Sequence, residues 1–163
     1  MKTRETRRYI GILFWGIATL TCMIIIFFMS HKPAPESAEM SGFIVKWLLS
    51  QGIGRDIAES LDLIVRKCAH MAEYFALTFS ATFFLIYIKG SFYVRVRLTA
   101  VLFAFLYAIS DEVHQLFVEG RAGRATDVLI DSVGIGIAFV VTTFLIKYCR
   151  KPRYSANNVK KSV

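Results

Sequence analysis

Residues 9–29 read YIGILFWGIATLTCMIIIFFM, 21 positions without a charge. As a helix rising about 1.5 Å per residue, that run covers a hydrocarbon core about 30 Å thick. Arg7 and Arg8 precede it, as in a secretory signal peptide. Signal cores, however, run about 7–15 residues, and no small-x-small cleavage site follows here. The stretch is therefore expected to remain as a membrane anchor.

Three more apolar stretches follow, at residues 67–88, 98–118 and 127–146, each about as long as a spanning helix requires. None alternates polar and apolar positions as a barrel strand would. The expected fold is all-α: an integral membrane four-helix bundle, with a short interfacial amphipathic helix between the first and second spans. Residues 31–41 hold Pro33 and Pro35 among small polar residues and read as a linker. Phe43, Ile44, Trp47 and Leu48 then recur at helical spacing, with Lys46 and Ser50 off that face, as in a helix lying at headgroup depth. Ile57, Leu61, Ile64 and Cys68 form a second stripe that runs into the second span. The expected organisation is a basic tail and first span (1–30), an extracytoplasmic linker and interfacial helix (31–66), a three-span core (67–148) and a basic tail (149–163).

The chain has 163 residues, is 55% hydrophobic and carries a formal net charge of +8, which alone would suit a nucleic-acid partner. The placement of charge argues otherwise. Thirteen of the twenty Lys and Arg lie in the N-terminal tail, in the connection after the second span and from Lys147 onward, where Glu5 is the one acid. With four spans these segments share a side, and the positive-inside rule makes it the cytoplasm. The remaining seven bases face eleven acids. Nucleic acid drops out, and membrane lipid becomes the expected partner. Cys22, Cys68 and Cys149 are odd in number and show no CxxC spacing, so neither a disulfide framework nor a thiolate metal site is indicated.

The costly residues gather towards one leaflet. On the second span Arg66, His70, Glu73 and Tyr74 fall within about 100° of arc. On the third, Asp111, His114 and Gln115 share a stripe, with Tyr107 a turn inward and Glu112 to one side. On the fourth, Asp127 and Asp131 share a face with Gly134 and Ala138, a small-xxx-small pair suited to close helix approach, and Thr126 is the expected N-cap. Glu73 lies about 10 Å inside the outer end of its span. The inner halves of these spans hold no ionisable group except Tyr87. Unpaired and ionised, Glu73, Asp111, Glu112 and Asp131 would cost about 10–14 kcal/mol, close to the whole stability of a typical domain. They must be paired, protonated or bound to a cation. Arg66, Lys67, Arg121, Arg124, His70 and His114 stand at that depth, and a polar pocket open to the outside is expected.

These residues also carry a resemblance. Arg66-Lys67-Cys68-Ala69-His70-Met71-Ala72-Glu73-Tyr74 is similar to the first signature of the VanZ-like membrane family. Ser110-Asp111-Glu112-Val113-His114-Gln115-Leu116-Phe117, then Gly120-Arg121 and Asp127-Val128-Leu129-Ile130-Asp131-Ser132-Val133-Gly134, resembles the second. The likeness covers roughly residues 64–140. Asp131 stands where that family often has Asn, and Glu119 where it often has Pro before the Gly-Arg pair. The resemblance implies a bacterial protein that confers tolerance to lipoglycopeptides such as teicoplanin.

Three functional classes fit the polar set. As a binding module, Arg66, Lys67, Tyr74, Gln115, Arg121 and Arg124 would engage a lipid phosphate, a lipid-linked cell-wall precursor or an anionic envelope polymer, with the acids orienting the arginines. As an enzyme, His70, Glu73, Asp111 and His114 would supply proton transfer. Alternatively His70, Glu73, Asp111, Glu112, His114, Asp127 and Asp131 would supply ligands for a divalent metal that activates water against a phosphoester or amide. As a purely structural network, the same residues would only satisfy one another, an inefficient way to gain stability at about 0.6 kcal/mol per intramembrane polar contact.

Topology is directly testable. A reporter fused after Val163 should be cytoplasmic, and Gly120→Cys should react with a membrane-impermeant thiol reagent beyond the wild-type background. A C-terminus outside the cell would place the polar cluster in the inner leaflet instead.

Overall fold

A computed structural model describes residues 2–33, 42–43 and 45–149. The described residues are helices and turns, without strands. Four long helices carry the fold: α1 (Lys2–His31), α2 (Arg55–Lys89), α3 (Val94–Gln115) and α4 (Ala125–Cys149). A short helical segment at residues 45–50 precedes α2. Pro35 with most of the linker, Ile44 of the amphipathic stripe and the basic tail from Arg150 lie outside the described residues.

Each apolar stretch becomes a helix longer than its uncharged part. Residue α1 positions 9–29 are extended by a basic first turn and by Ser30 and His31. The second span begins at Arg55, three turns before residue 67, because the stripe Ile57, Leu61, Ile64 continues the same helical face. The resulting 35-residue helix is about 52 Å long, well beyond a hydrocarbon core. It ends at Gly90, whose left-handed φ of 63° lets its N–H close on the Ile86 carbonyl.

Three of the described helices (α1, α2 and α4) are long and apolar enough to cross a membrane. The expectation of four spans is met in part: four long helices form, and α3 is the one that falls short of that length and composition. Its uncharged run lasts only from Leu98 to Ser110, about 20 Å of helix, with Arg95 and Arg97 before it and Asp111 and Glu112 after it. The third helix also stops at Gln115, short of residue 118. What α3 offers instead is a packing face. Ala100, Ala104 and Ala108 are fully buried at four-residue spacing, which lets neighbouring backbones come close.

The central element is α2, which packs against each of the other three. Ile26, Tyr74, Leu77, Ala104, Ala108 and Ile135 form the shared core. Trp15 of α1 stacks on Phe83 of α2 at 4.9 Å between ring centroids. Large side chains on the outward faces, among them Leu13, Ile17, Phe28, Leu102, Leu129 and Phe144, remain exposed, as expected of surfaces solvated by acyl chains. In the short segment Phe43 and Trp47 are exposed whereas Leu48 is buried.

Two contacts fix the helix directions. Arg8 donates from Nε to the Tyr87 carbonyl (3.0 Å) and from Nη2 to the Ile88 carbonyl (2.6 Å), bringing the start of α1 to the end of α2. At the opposite end, Ser30 of α1 meets Asp111 of α3. Helices α2 and α4 therefore run in the same direction. One end gathers Arg8, Lys89, Arg95, Arg97 and Lys147; the other gathers the acids.

The tightest approach lies between these two parallel helices. A Cβ at Gly134 would collide with the carbonyl oxygen of Met71. Gly134→Ala should therefore force backbone apart, at about 1–3 kcal/mol, and lower the thermal midpoint of the purified protein. Gly136→Ala, where a Cβ meets open space, should leave it unchanged or slightly raised. Equal midpoints for the two variants would contradict the close approach.

Candidate functional site

At the acidic end the chain turns from α3 into α4 over residues 116–124. Arg121 donates its N–H to the Val118 carbonyl (3.1 Å), and Gly120 takes a φ of 71° inside that turn. Glu119 is exposed and points away from the core. Gly123 then crosses the end of α3 so closely that a Cβ would strike the Glu112 carbonyl. The expectation that Thr126 caps α4 is corrected here. The helix starts at Ala125, and the N–H of Arg124 is received by Glu112 Oε2 at 2.8 Å. The cap is a carboxylate lent by another helix, favourable against the positive end of the α4 dipole.

Several candidates are committed to structure. Asp111 Oδ2 accepts from Ser30 Oγ (2.7 Å) and from Gln115 Nε2 (3.2 Å), and Gln115 also donates to Ser30 Oγ (3.2 Å). All three side chains are buried. His114 and His31 meet at 3.2 Å between ring nitrogens, and Phe27 stacks on His114 at 5.0 Å. Tyr107 donates to the Met23 carbonyl at 2.8 Å. Tyr74 is buried in the core rather than at a site, and its hydroxyl has no partner among the described residues.

Arg121 also joins distant segments. Its Nε donates to the Lys32 carbonyl (3.1 Å) and its Nη2 to the Met29 carbonyl (3.2 Å). A helix ends with unsatisfied carbonyls, and a guanidinium is well matched to two of them. Arg121 thus ties the end of α1 to the α3–α4 turn, and it also lines the cavity beside that turn.

Most of the candidates line a cavity of about 340 Å³ between α2, the α3–α4 turn and the start of α4. Arg66, Lys67 and His70 enter it from α2, with Leu63 beside them. Glu112, Gln115, Arg121 and Arg124 close one side; Thr126, Asp127, Ile130 and Asp131 form the α4 wall. Exposure grades through it: Lys67 and Arg124 are exposed, His70, Arg121 and Asp127 half-buried, and Glu112 and Asp131 buried. Arg66 pairs with Asp62 at 2.9 Å. Asp131 is 1% exposed, and neither of its carboxylate oxygens has a hydrogen-bond partner among the described residues.

The proposed metal set does not converge. His70 and Glu73 approach at 3.8 Å, but among the described residues no three His, Cys, Asp or Glu side chains stand together as one ion would need. Glu73, Asp111 and His114 also stand apart from the cavity lining. The described donors do not fit a divalent cation.

Ser30 was not singled out from sequence, although a lone polar residue closing a long apolar run is a readable signal. Long apolar helices gathered around a charged cleft at one end define a helical membrane protein. The chain matches the VanZ/LLP1 family over residues 15–146 and belongs to this VanZ-like family. The match takes in most of α1 as well as the motif region 64–140. No curated protein and no solved structure matches the chain.

The tether made by Arg121 distinguishes it from Lys67 in a stability assay. Arg121→Ala and Arg121→Lys should each lower stability by about 1–3 kcal/mol, since Lys cannot serve two carbonyls as a fork does. Lys67→Ala should stay within about 0.5 kcal/mol of wild type. Wild-type stability in Arg121→Ala would contradict the tether.

Proposed function

We propose that this protein resides in the bacterial plasma membrane with both termini cytoplasmic, and that its polar cavity opens on the outer face. There it binds the anionic headgroup of a cell-envelope lipid or lipid-linked cell-wall precursor. By holding that group it raises tolerance to lipoglycopeptides such as teicoplanin. The observation that carries this reading is the cavity itself, with Lys67 and Arg124 exposed at its mouth and Arg66 beside them. Cations so placed attract phosphate, and Arg adds the geometry to bind it at two points.

Topology supports the outward direction. The cavity lies opposite the end that gathers Arg8, Lys89, Arg95, Arg97 and Lys147, and positive residues mark the cytoplasmic side. The polar set divides between two duties. The Ser30–Asp111–Gln115 cluster, Arg121 and the His31–His114 pair join α1 to α3 and the following turn. Lys67, Arg124, Asp127 and Asp131 are left to face the ligand.

The test uses Lys67→Ala with Arg124→Ala, neither of which joins helices through its side chain in the hydrogen bonds described above. Expressed to wild-type abundance in a susceptible host, the double variant should lose most of the added teicoplanin tolerance. The purified variant should also bind vesicles containing phosphatidylglycerol no better than neutral vesicles. Wild-type tolerance together with wild-type vesicle binding would overturn the reading.

A further inference from the structure

Asp131 is a buried acid for which neither oxygen finds a partner among the described residues. Glu112 receives the Arg124 N–H, and Asp111 receives Ser30 and Gln115. Asp131, 1% exposed and lining the cavity, receives no hydrogen bond on either oxygen among the described residues. An ionised carboxylate buried in that state is costly, and it is relieved either by taking up a proton or by something with donors sitting against it.

Its position specifies what that something is. The approach of Gly134 to the Met71 carbonyl fixes the register of the parallel helices α2 and α4. In that register Lys67 stands level with Ile130, so along the helix axes Asp131 is offset from Arg66 and Lys67 by less than one turn, and all three line the same cavity. Cations at the mouth and one unsatisfied carboxylate beneath them make a site of two opposite signs. A bare metal ion does not suit the lower half, because no three carboxylates or imidazoles stand together there among the described residues, although His70, Glu112 and Asp127 line the same cavity. A primary ammonium does: it brings its own three donors and needs only one carboxylate as counter-charge. The volume of about 340 Å³ falls in the range of small-ligand sites.

Resting on the reading that the cavity holds an anionic headgroup, we propose that the ligand is a phosphate ester that also bears a protonated primary amine. Its phosphate lies against Lys67 and Arg124, and its ammonium lies against Asp131. A phosphoethanolamine group has this chemistry, either free or as the head of a lipid.

The full chain in detergent micelles is titrated calorimetrically with phosphoethanolamine, glycerol phosphate, and the dihexanoyl forms of phosphatidylethanolamine and phosphatidylglycerol. The amine-bearing member of at least one pair should bind about tenfold tighter than its amine-free counterpart. A preference in the free pair identifies a soluble ester as sufficient; a preference confined to the lipid pair identifies a lipid headgroup. In Asp131→Asn that preference should fall below about threefold, with the amine-free member binding as in wild type. Equal binding within both wild-type pairs overturns the proposal whether or not the variant folds, and so does a preference that survives Asp131→Asn. Binding without amine preference leaves the anionic-headgroup reading standing, whereas no binding of any of the four overturns that reading as well.

Discussion

A carboxylate placed in an apolar helix has to find hydrogen-bond donors, because neither acyl chains nor apolar side chains replace water. The acidic end of this protein is arranged by that requirement. Asp111 draws Ser30 from α1 and Gln115 from its own helix. Glu112 reaches past the end of α3 to receive the first N–H of the next helix segment. Arg121 works in the reverse sense, supplying donors to carbonyls at which α1 runs out. Three helix ends are thus joined by exchanged donors and acceptors, where the apolar contact between α1 and α3 is slight.

The same requirement explains why a cavity exists. Helix packing below it is close: the Ala100–Ala104–Ala108 face and the Gly134 contact leave little room between backbones. Above Gly134 the side chains become long and charged, and they stand apart instead of interdigitating. Asp131 sits where close packing gives way to open cleft. Its unsatisfied oxygens and the exposed cations above it supply the physical basis for a ligand that carries both signs of charge.

Much of this was legible in the chain. Apolar run length located α1, α2 and α4, and helical arc placed Arg66, His70, Glu73 and Tyr74 on a common face. The charge balance separated a basic end from an acidic one. What remained hidden depends on contacts between segments distant in sequence. Thr126 has the right chemistry for a cap, but the acceptor comes from Glu112, twelve residues before Arg124. The tether made by Arg121 stays hidden because nothing local shows that Met29 and Lys32 end beside it. The third stretch reads as longer than its helix, because aromatic and aliphatic residues on both sides of Asp111 hide how short the uncharged part is. The alanine face of α3 went unnoticed because Ala signals neither polarity nor bulk. His70 and Glu73 share a helix face as expected, but facing helices do not bring further donors to them.

The most direct measurement is an experimental density map of the full chain in lipid discs containing both phosphatidylethanolamine and phosphatidylglycerol. The expected result is a headgroup in the cavity, with its phosphate within hydrogen-bond reach of Lys67 or Arg124 and its amine against Asp131. Density that fills the cavity with an acyl chain, or a headgroup seated away from all three side chains, would contradict a charged ligand site.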